Sequence, residues 1–178
     1  LAGLDIGWRI RKATGKLPLG EAERAAAERA TKVILGVLVA LELFVAFGAL
    51  YGGGGMLMDP AGRPLGLPPP GEMAGLRFGS YLVPGVILLL ANGLLPFAVV
   101  LGALTGQRWA IRAHMVVGMV LTVWTAVEVL MLGWISVLQP VMLVVGIAIF
   151  ALGMLFHARK EGARHLAMAG EEHPSPAT

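Results

Sequence analysis

The longest apolar stretch of the sequence runs from Ala113 to Ala158, where Glu128 is the only residue with a formal charge. A segment of this composition is not typical of a solvated globular surface. A reversal at Gly133-Trp134 divides it into halves of roughly 20 residues, the length a helix needs to cross about 30 Å of hydrocarbon. The pattern predicts a transmembrane helical hairpin that contains one carboxyl group.

Two more spans are predicted upstream of this hairpin. The first ends at Gly52-Gly53-Gly54-Gly55, which we expect to terminate the helix. The second lies in a long stretch without charge, in which Pro96 is the expected site of a kink. The sequence therefore predicts an all-α membrane protein whose four transmembrane helices form an up-down bundle. The predicted spans are about 31–51, 82–104, 110–132 and 137–156.

The segments outside the spans differ in character. Residues 1–30 are basic and lack the pattern of a signal peptide, and from Gly20 to Arg29 we expect a solvated helix that leads into the first span. Residues 52–81 form a Gly- and Pro-rich loop, where Asp59-Pro60-Ala61-Gly62 fits a type I turn and a short β-hairpin is expected. Residues 158–178 form a charged tail.

Composition and charge agree with a membrane protein. Charged residues make up 14% of the chain, against about 25% in soluble proteins, and the mean hydropathy is +0.77. The net charge of +3 does not indicate nucleic-acid binding, because the basic residues flank apolar spans. Only Arg63 and Arg77 fall on the side of the long loop, while twelve Lys and Arg residues fall on the other side. By the positive-inside rule both termini are cytoplasmic and the loop faces outward.

Several kinds of chemistry are excluded or disfavoured. The chain has no cysteine, and it contains no P-loop, dinucleotide fingerprint, H-E-x-x-H or G-x-S-x-G motif. His114 lies about 21 Å along its predicted helix from Glu128, so these residues and Glu42 do not suggest a metal site. His157 and His165 follow the last span and are expected at the membrane interface, not as haem ligands. We predict no metal, no catalytic residue and no bound cofactor, although a lipid or quinone-like lipophile fits such a bundle.

The candidate site consists of polar residues within the predicted spans. On the third span, steps of three and four residues place one polar and small stripe on a single helix face. Counted from the predicted outer interface, the polar groups of three spans lie at comparable depths of about 9–16 Å. The site residues are Glu42, Asn92, Thr122, Thr125 and Glu128, and the stripe is His114, Gly118, Thr122, Thr125 and Glu128.

Two interpretations of the carboxyl groups remain open. In the first, Glu42 and Glu128 share a proton or bind a cationic or hydrogen-bonding ligand, since an ionisable residue inside a membrane is costly and is a functional candidate. In the second, each glutamic acid is neutral and bridges helices through hydrogen bonds, with Asn92 and the threonines as partners.

Glycine and proline punctuate the chain in a pattern that resembles small uncharacterised four-helix bacterial membrane proteins and, more loosely, DoxX-like proteins. The likeness covers about residues 33–156. It implies the four-helix fold and, by analogy, a link to quinone-related membrane complexes, but no catalytic residue. The runs are Gly52-Gly53, Met58-Asp59-Pro60-Ala61-Gly62, Leu65-Gly66-Leu67-Pro68, Tyr81-Leu82-Val83-Pro84-Gly85 and Gly133 to Gln139.

Two functions follow as hypotheses. The first is a non-catalytic accessory or structural subunit of a larger integral membrane complex in the bacterial cytoplasmic membrane. Its partners would be the lipid bilayer and other membrane subunits, or further copies of the same chain. The alternative is a stand-alone binder, carrier or enzyme for a small lipophilic molecule, with Glu42, Glu128 and Asn92 at the polar end of an apolar pocket.

Overall fold

A computed structural model of the protein describes residues 20–70, 79–134 and 136–171. The chain divides into two compact units, Leu1–Val33 and Ile34–Thr178. Most of the basic N-terminal segment, part of the long loop and the last residues of the expected tail therefore lie outside the described residues. The bundle and every site discussed below belong to the second unit.

The described chain is mainly helical. The second span, Leu82–Leu104, consists of two short α-helices joined by a π-helix. Within the described residues, four helical stretches are long and apolar enough to cross a membrane. Side chains such as Leu130 and Val144, which are 85% and 66% exposed, give these helices an apolar outer surface suited to lipid. The predicted all-α membrane protein with four spans is confirmed. The elements are α1 (Glu21–Met58), α2 (Leu82–Leu88), α3 (Leu95–Leu104), α4 (Ala110–Leu132), α5 (Leu138–Glu171) and the π-helix Leu89–Leu94.

Helix α1 does not end at the four consecutive glycines but continues through them to Met58. A Cβ atom on Gly53 would lie 2.9 Å from the carbonyl oxygen of Gly85 and 3.1 Å from Cβ of Leu89. The glycines therefore let α1 and the second span approach each other closely, which is how small residues act at helix crossings in membranes. The expectation that Gly52 ends the helix was wrong because helix propensity gave way to this interhelical contact.

The irregularity expected near Pro96 takes the form of the π-helix Leu89–Leu94, which ends just before the proline. Proline has no N–H to donate, and its ring crowds the carbonyl four residues earlier, here that of Asn92. A wider turn at this point avoids that conflict. It also leaves Asn92 and Gly93 buried in the bundle.

Neighbouring spans are antiparallel. A Cβ atom on Gly153 would lie 3.0 Å from N of Met115, and a Cβ atom on Gly146 would lie 3.0 Å from N of Thr122. Residues late in α5 therefore face residues early in α4. On α1 and the second span, Gly53 meets Gly85 and the earlier residue Leu50 meets the later residue Gly93, so these two spans are antiparallel as well. This is the alternation expected of an up-down bundle.

The loop after α1 begins with the predicted turn but contains no hairpin. The amide of Gly62 donates to the carbonyl of Asp59 at 2.8 Å, as a turn over these residues requires. A 3₁₀ turn, Arg63–Leu65, follows, and the described part of the loop has no strand. The expected β-hairpin was wrong because Gly62 and Gly66, with φ of 74° and 64°, enclose a tight 3₁₀ turn between two left-handed residues.

Tyr81 attaches this loop to the start of the second span. Its amide donates to the carbonyl of Pro60 and its hydroxyl donates to the carbonyl of Pro68, both at 2.8 Å. The side chain is buried against Met56. Burial raises the pKa of the Tyr81 hydroxyl, so this group remains a hydrogen-bond donor over the physiological range. We call this end of the bundle the loop end.

Candidate functional site

Two ionisable side chains, Glu42 of α1 and His114 of α4, are fully buried and in contact. Oε1 of Glu42 lies 2.8 Å from Nδ1 of His114, a distance at which the two atoms share one proton. Because an isolated charge in a bundle surrounded by lipid is costly, each group compensates the other. Moving that proton converts a carboxylate and imidazolium into a carboxylic acid and neutral imidazole, without a change in net charge.

Apolar side chains from several spans enclose this pair. The ring of Phe156 meets the imidazole of His114 in a T-shaped contact, with the ring centroids 5.7 Å apart and the planes at 82°. The surrounding buried cluster has members one helical turn from each partner, on both α1 and α4. The pair therefore lies within the hydrophobic core of the bundle, not at its surface. The cluster is Leu38, Val45, Val99, Val117, Leu121, Ile149 and Phe156.

Each partner also has a second polar atom that is not used. Oε2 of Glu42 and Nε2 of His114 are buried and have no hydrogen-bond partner among the described residues. The large majority of buried side-chain polar atoms in proteins have a hydrogen-bond partner, so an exception marks a position where an ion, a water or a proton can be bound. The amide nitrogen of Asn92 and Nδ1 of His157 are further buried atoms without a partner in the described chain.

The structure separates Glu42 from Glu128. Glu42 contacts His114, which is fourteen residues from Glu128 on one helix, or about 21 Å at 1.5 Å per residue. The interpretation in which Glu42 and Glu128 share a proton is therefore wrong for this arrangement. The predicted depth of Glu42 assumes a first span that ends near residue 51, but α1 continues to Met58, which places Glu42 farther from the loop end.

The two threonines of the candidate site bond within their own helix. Thr122 donates to the carbonyl of Gly118 at 2.8 Å, and Thr125 donates to the carbonyl of Leu121 at 2.9 Å. Thr122 also packs on α5, since a Cβ atom on Gly146 would lie 2.6 Å from its hydroxyl oxygen. These hydroxyl groups serve helix packing and are not directed at either carboxyl group. All five stripe residues are buried or half-buried.

Glu128 and Asn92 occupy separate positions. Glu128 lines a cavity of about 20 Å³ with Tyr81, Trp124 and Met131, close to the loop end. A cavity of this volume has room for about one water molecule. Asn92 is on the π-helix, and its neighbour Gly93 faces Leu50, a level about 12 Å along α1 from Glu42. The five predicted residues therefore do not form one cluster.

His114 is the member of the buried pair that the sequence analysis placed in the stripe of the third span but not in the candidate site. Its signal was present, because His114 is the first residue of the inward-facing stripe and an ionisable inward side chain needs a partner. Because the first span was predicted to end before Met58, Glu42 was expected at the depth of Glu128 instead of the depth of His114.

Fold and site together define a class: a helical membrane protein with four candidate spans and a carboxylate–imidazole pair inside the bundle. Comparison with protein-family models, curated proteins and solved structures finds no match for this chain. The function is therefore argued from the geometry of the pair.

Proposed function

We propose that the Glu42–His114 pair accepts and releases a proton inside the bundle, and that the protein does this as a non-catalytic accessory subunit of a larger membrane complex. The observation that supports the proton site is the pair itself: two fully buried groups 2.8 Å apart, each with a second buried polar atom that has no partner in the described chain. A pair that served packing alone would gain from having those atoms satisfied.

Taking up one proton changes the charge of the pair. With neutral imidazole and a carboxylate the pair carries one negative charge, and a proton added at Nε2 of His114 brings its net charge to zero. The added charge remains close to its partner, so the proton enters without an isolated cation in the core. This chemistry needs no substrate and no additional ligand.

The test follows the imidazole of His114 directly. In protein with labelled histidine in lipid nanodiscs, we expect the ring nitrogen resonances of His114 to change with pH. We expect Glu42→Gln to move the midpoint of that change, because the neutral amide cannot compensate imidazolium. Glu161→Gln is the matched control, since the side chain of Glu161 on α5 is partly exposed and has Arg164 3.7 Å away. Resonances of His114 that stay constant wherever the protein is folded would reject the proton site.

The subunit assignment has a separate test. Purification from native membranes in mild detergent should yield this chain together with other integral membrane chains in fixed ratio. A monodisperse monomer or homodimer with a bound lipophile would support the alternative instead. As part of this proposal, we predict that the protein is related to DoxX-like proteins. We also predict that its complex lies in the bacterial cytoplasmic membrane and is linked to quinones.

Cavity size makes the lipophile alternative the weaker candidate. The cavity at Glu128 holds about 20 Å³, and a second cavity beside Phe156 holds about 100 Å³. Pockets for small organic ligands usually measure about 300–1,000 Å³. A quinone-like molecule would need considerably more room than either cavity provides.

A further inference from the structure

A cavity of about 100 Å³ lies at the end of the bundle opposite the loop end, where the start of α4 and the turn before it meet Leu35 of α1 and the part of α5 from Phe156 to Lys160. Gln107, Ile111 and Lys160 are among its lining residues. We call this the basic end, because Arg108, Arg112 and Arg159 are each adjacent in sequence to one of these three lining residues. The volume is sufficient for several water molecules.

Phe156 is shared by this cavity and the buried pair. Phe156 lines the cavity, and its ring meets the imidazole of His114 in a T-shaped contact at a centroid distance of 5.7 Å. The side chain is only 3% exposed. The Phe156 ring therefore separates the cavity from the imidazole whose Nε2 atom has no partner among the described residues.

Lys160 acts on the same ring. Its Nζ atom lies 5.7 Å from the centroid of Phe156, one helical turn farther along α5. A cation over an aromatic face is attracted by the ring quadrupole, so Lys160 favours the ring position seen here.

We propose that the Phe156 ring is a gate through which protons pass between the basic-end cavity and His114, with Lys160 holding the gate closed; this inference rests on the proposed proton function of the pair. When the ring moves aside, a hydronium ion in the cavity transfers its proton to Nε2 of His114 and leaves a water molecule. The proton on Nδ1 of His114 then passes to Oε1 of Glu42, and release reverses both steps. Phe156 is a positioning residue, since it does not exchange protons itself.

The elements around Phe156 and His114 carry further titratable or charged groups. On α5 these are His157 and Lys160, on α4 the exposed Arg112, and on α1 Glu42 itself. His157 is the other imidazole in this region, so the test is made in a His157→Gln background as well as in the unmodified chain, which assigns the imidazole signal to His114.

The test measures the rate at which His114 responds to a pH jump in nanodiscs, followed by time-resolved infrared absorption of the pair. We expect Phe156→Ala to raise this rate by about tenfold or more, because the ring no longer blocks the path. Lys160→Gln should raise it by about two- to fivefold, the factor expected for losing an exposed cation–π contact. In Lys160→Gln the rates of proton uptake and release should rise by similar factors, which separates gating from a structural role, because this variant leaves the Phe156 ring beside the imidazole.

Phe150→Ala is the matched control, because Phe150 is on the same helix and is 38% exposed. In this variant we expect His114 to respond to the pH jump at the same rate as in the unmodified chain. Lys160→Gln keeps the test valid if Phe156→Ala fails to fold, since Lys160 is exposed. Unchanged rates in Phe156→Ala and Lys160→Gln, with His114 still titrating, would overturn the gate and leave the proton site intact. Absence of any titration of His114 in the unmodified chain would overturn the proposed function itself.

Discussion

Glu42 and His114 are 72 positions apart in the chain and 2.8 Å apart in space, and each depends on the other. Within an apolar core, a carboxyl group without its imidazole is an uncompensated polar group. The same holds for the imidazole without its carboxyl group. Their energetic contribution is therefore a property of the pair and not of either residue.

This dependence predicts the stability of variants. His114→Ala should lower the free energy of unfolding by about 3–5 kcal/mol, the cost of removing one member of a buried pair. Replacing both members by apolar residues, Glu42→Met with His114→Leu, should cost much less, because no polar group is then left buried. Unfolding by denaturant in mixed micelles measures both, with Glu161→Gln as the surface control. A double variant as unstable as the sum of its single variants would contradict the coupling.

Asp59 gives a prediction at the surface of the bundle. Hydrogen bonds from the side chain of Arg63 and the amide of Ala61 hold the pKa of the Asp59 carboxyl below its usual value of 3.8. Because the folded pKa is depressed, this stabilisation of the turn is present above the unfolded pKa and is lost as pH falls through the folded pKa.

The amide proton shift of Ala61 should therefore titrate with a midpoint below 3.8, followed by nuclear magnetic resonance in detergent. Arg63→Gln should raise this midpoint, because the charged hydrogen bond is the main cause of the lowered pKa. Arg108→Gln, at the far end of the bundle, serves as the control. A midpoint that is the same with and without Arg63 would contradict this account.

At the scale of elements, the run of glycines in α1 is helical and allows close approach to the second span. Gly53 meets the backbone of the second span, whereas a Cβ atom on Gly54, its neighbour in the same run, would have no atom within 4 Å. Both residues are helical. The two positions therefore differ in contact and not in secondary structure.

This contrast predicts opposite effects of one substitution. Gly53→Ala should destabilise the bundle by about 1–3 kcal/mol, since the new methyl group is forced against backbone atoms. Gly54→Ala should be neutral or stabilising by up to about 1 kcal/mol, because alanine favours the helix over glycine. The same unfolding assay compares the two variants side by side. Equal changes in the free energy of unfolding for Gly53→Ala and Gly54→Ala would contradict a role of Gly53 in the contact between helices.

At the scale of the whole molecule, the charge distribution predicts the orientation in the membrane. The loop that contains Pro69 should face outward and the turn that contains Arg108 should face the cytoplasm, because basic residues are retained on the cytoplasmic side. The chain has no cysteine, so single-cysteine variants report one position each.

We expect a membrane-impermeant thiol reagent to label Pro69→Cys in intact cells and Arg108→Cys only after permeabilisation. Both positions are exposed in the structure, so access depends on the side of the membrane and not on burial. The reverse pattern of labelling would invert the predicted topology and would place the basic-end cavity on the outer side.

The sequence by itself determined the features that depend on neighbouring residues. Helices occupy Leu82–Leu104 and Ala110–Leu132, where the apolar runs predicted spans, because transfer of an apolar segment into lipid is a local property. The turn at Asp59 was predictable for the same reason, since its proline and glycine act within four residues. An inward face on the third span also followed from its period alone.

Only the tertiary structure decided which polar groups meet. The partner of Glu42 depends on the register between α1 and α4, which follows from how each of these helices packs on its neighbour: Gly53 of α1 meets the second span, and Gly118 of α4 meets α5. A shift of a few residues in one helix changes depth by several ångströms and exchanges one partner for another. The pairing of Glu42 with His114, and not with Glu128, is therefore a result of packing between segments that are distant in the chain.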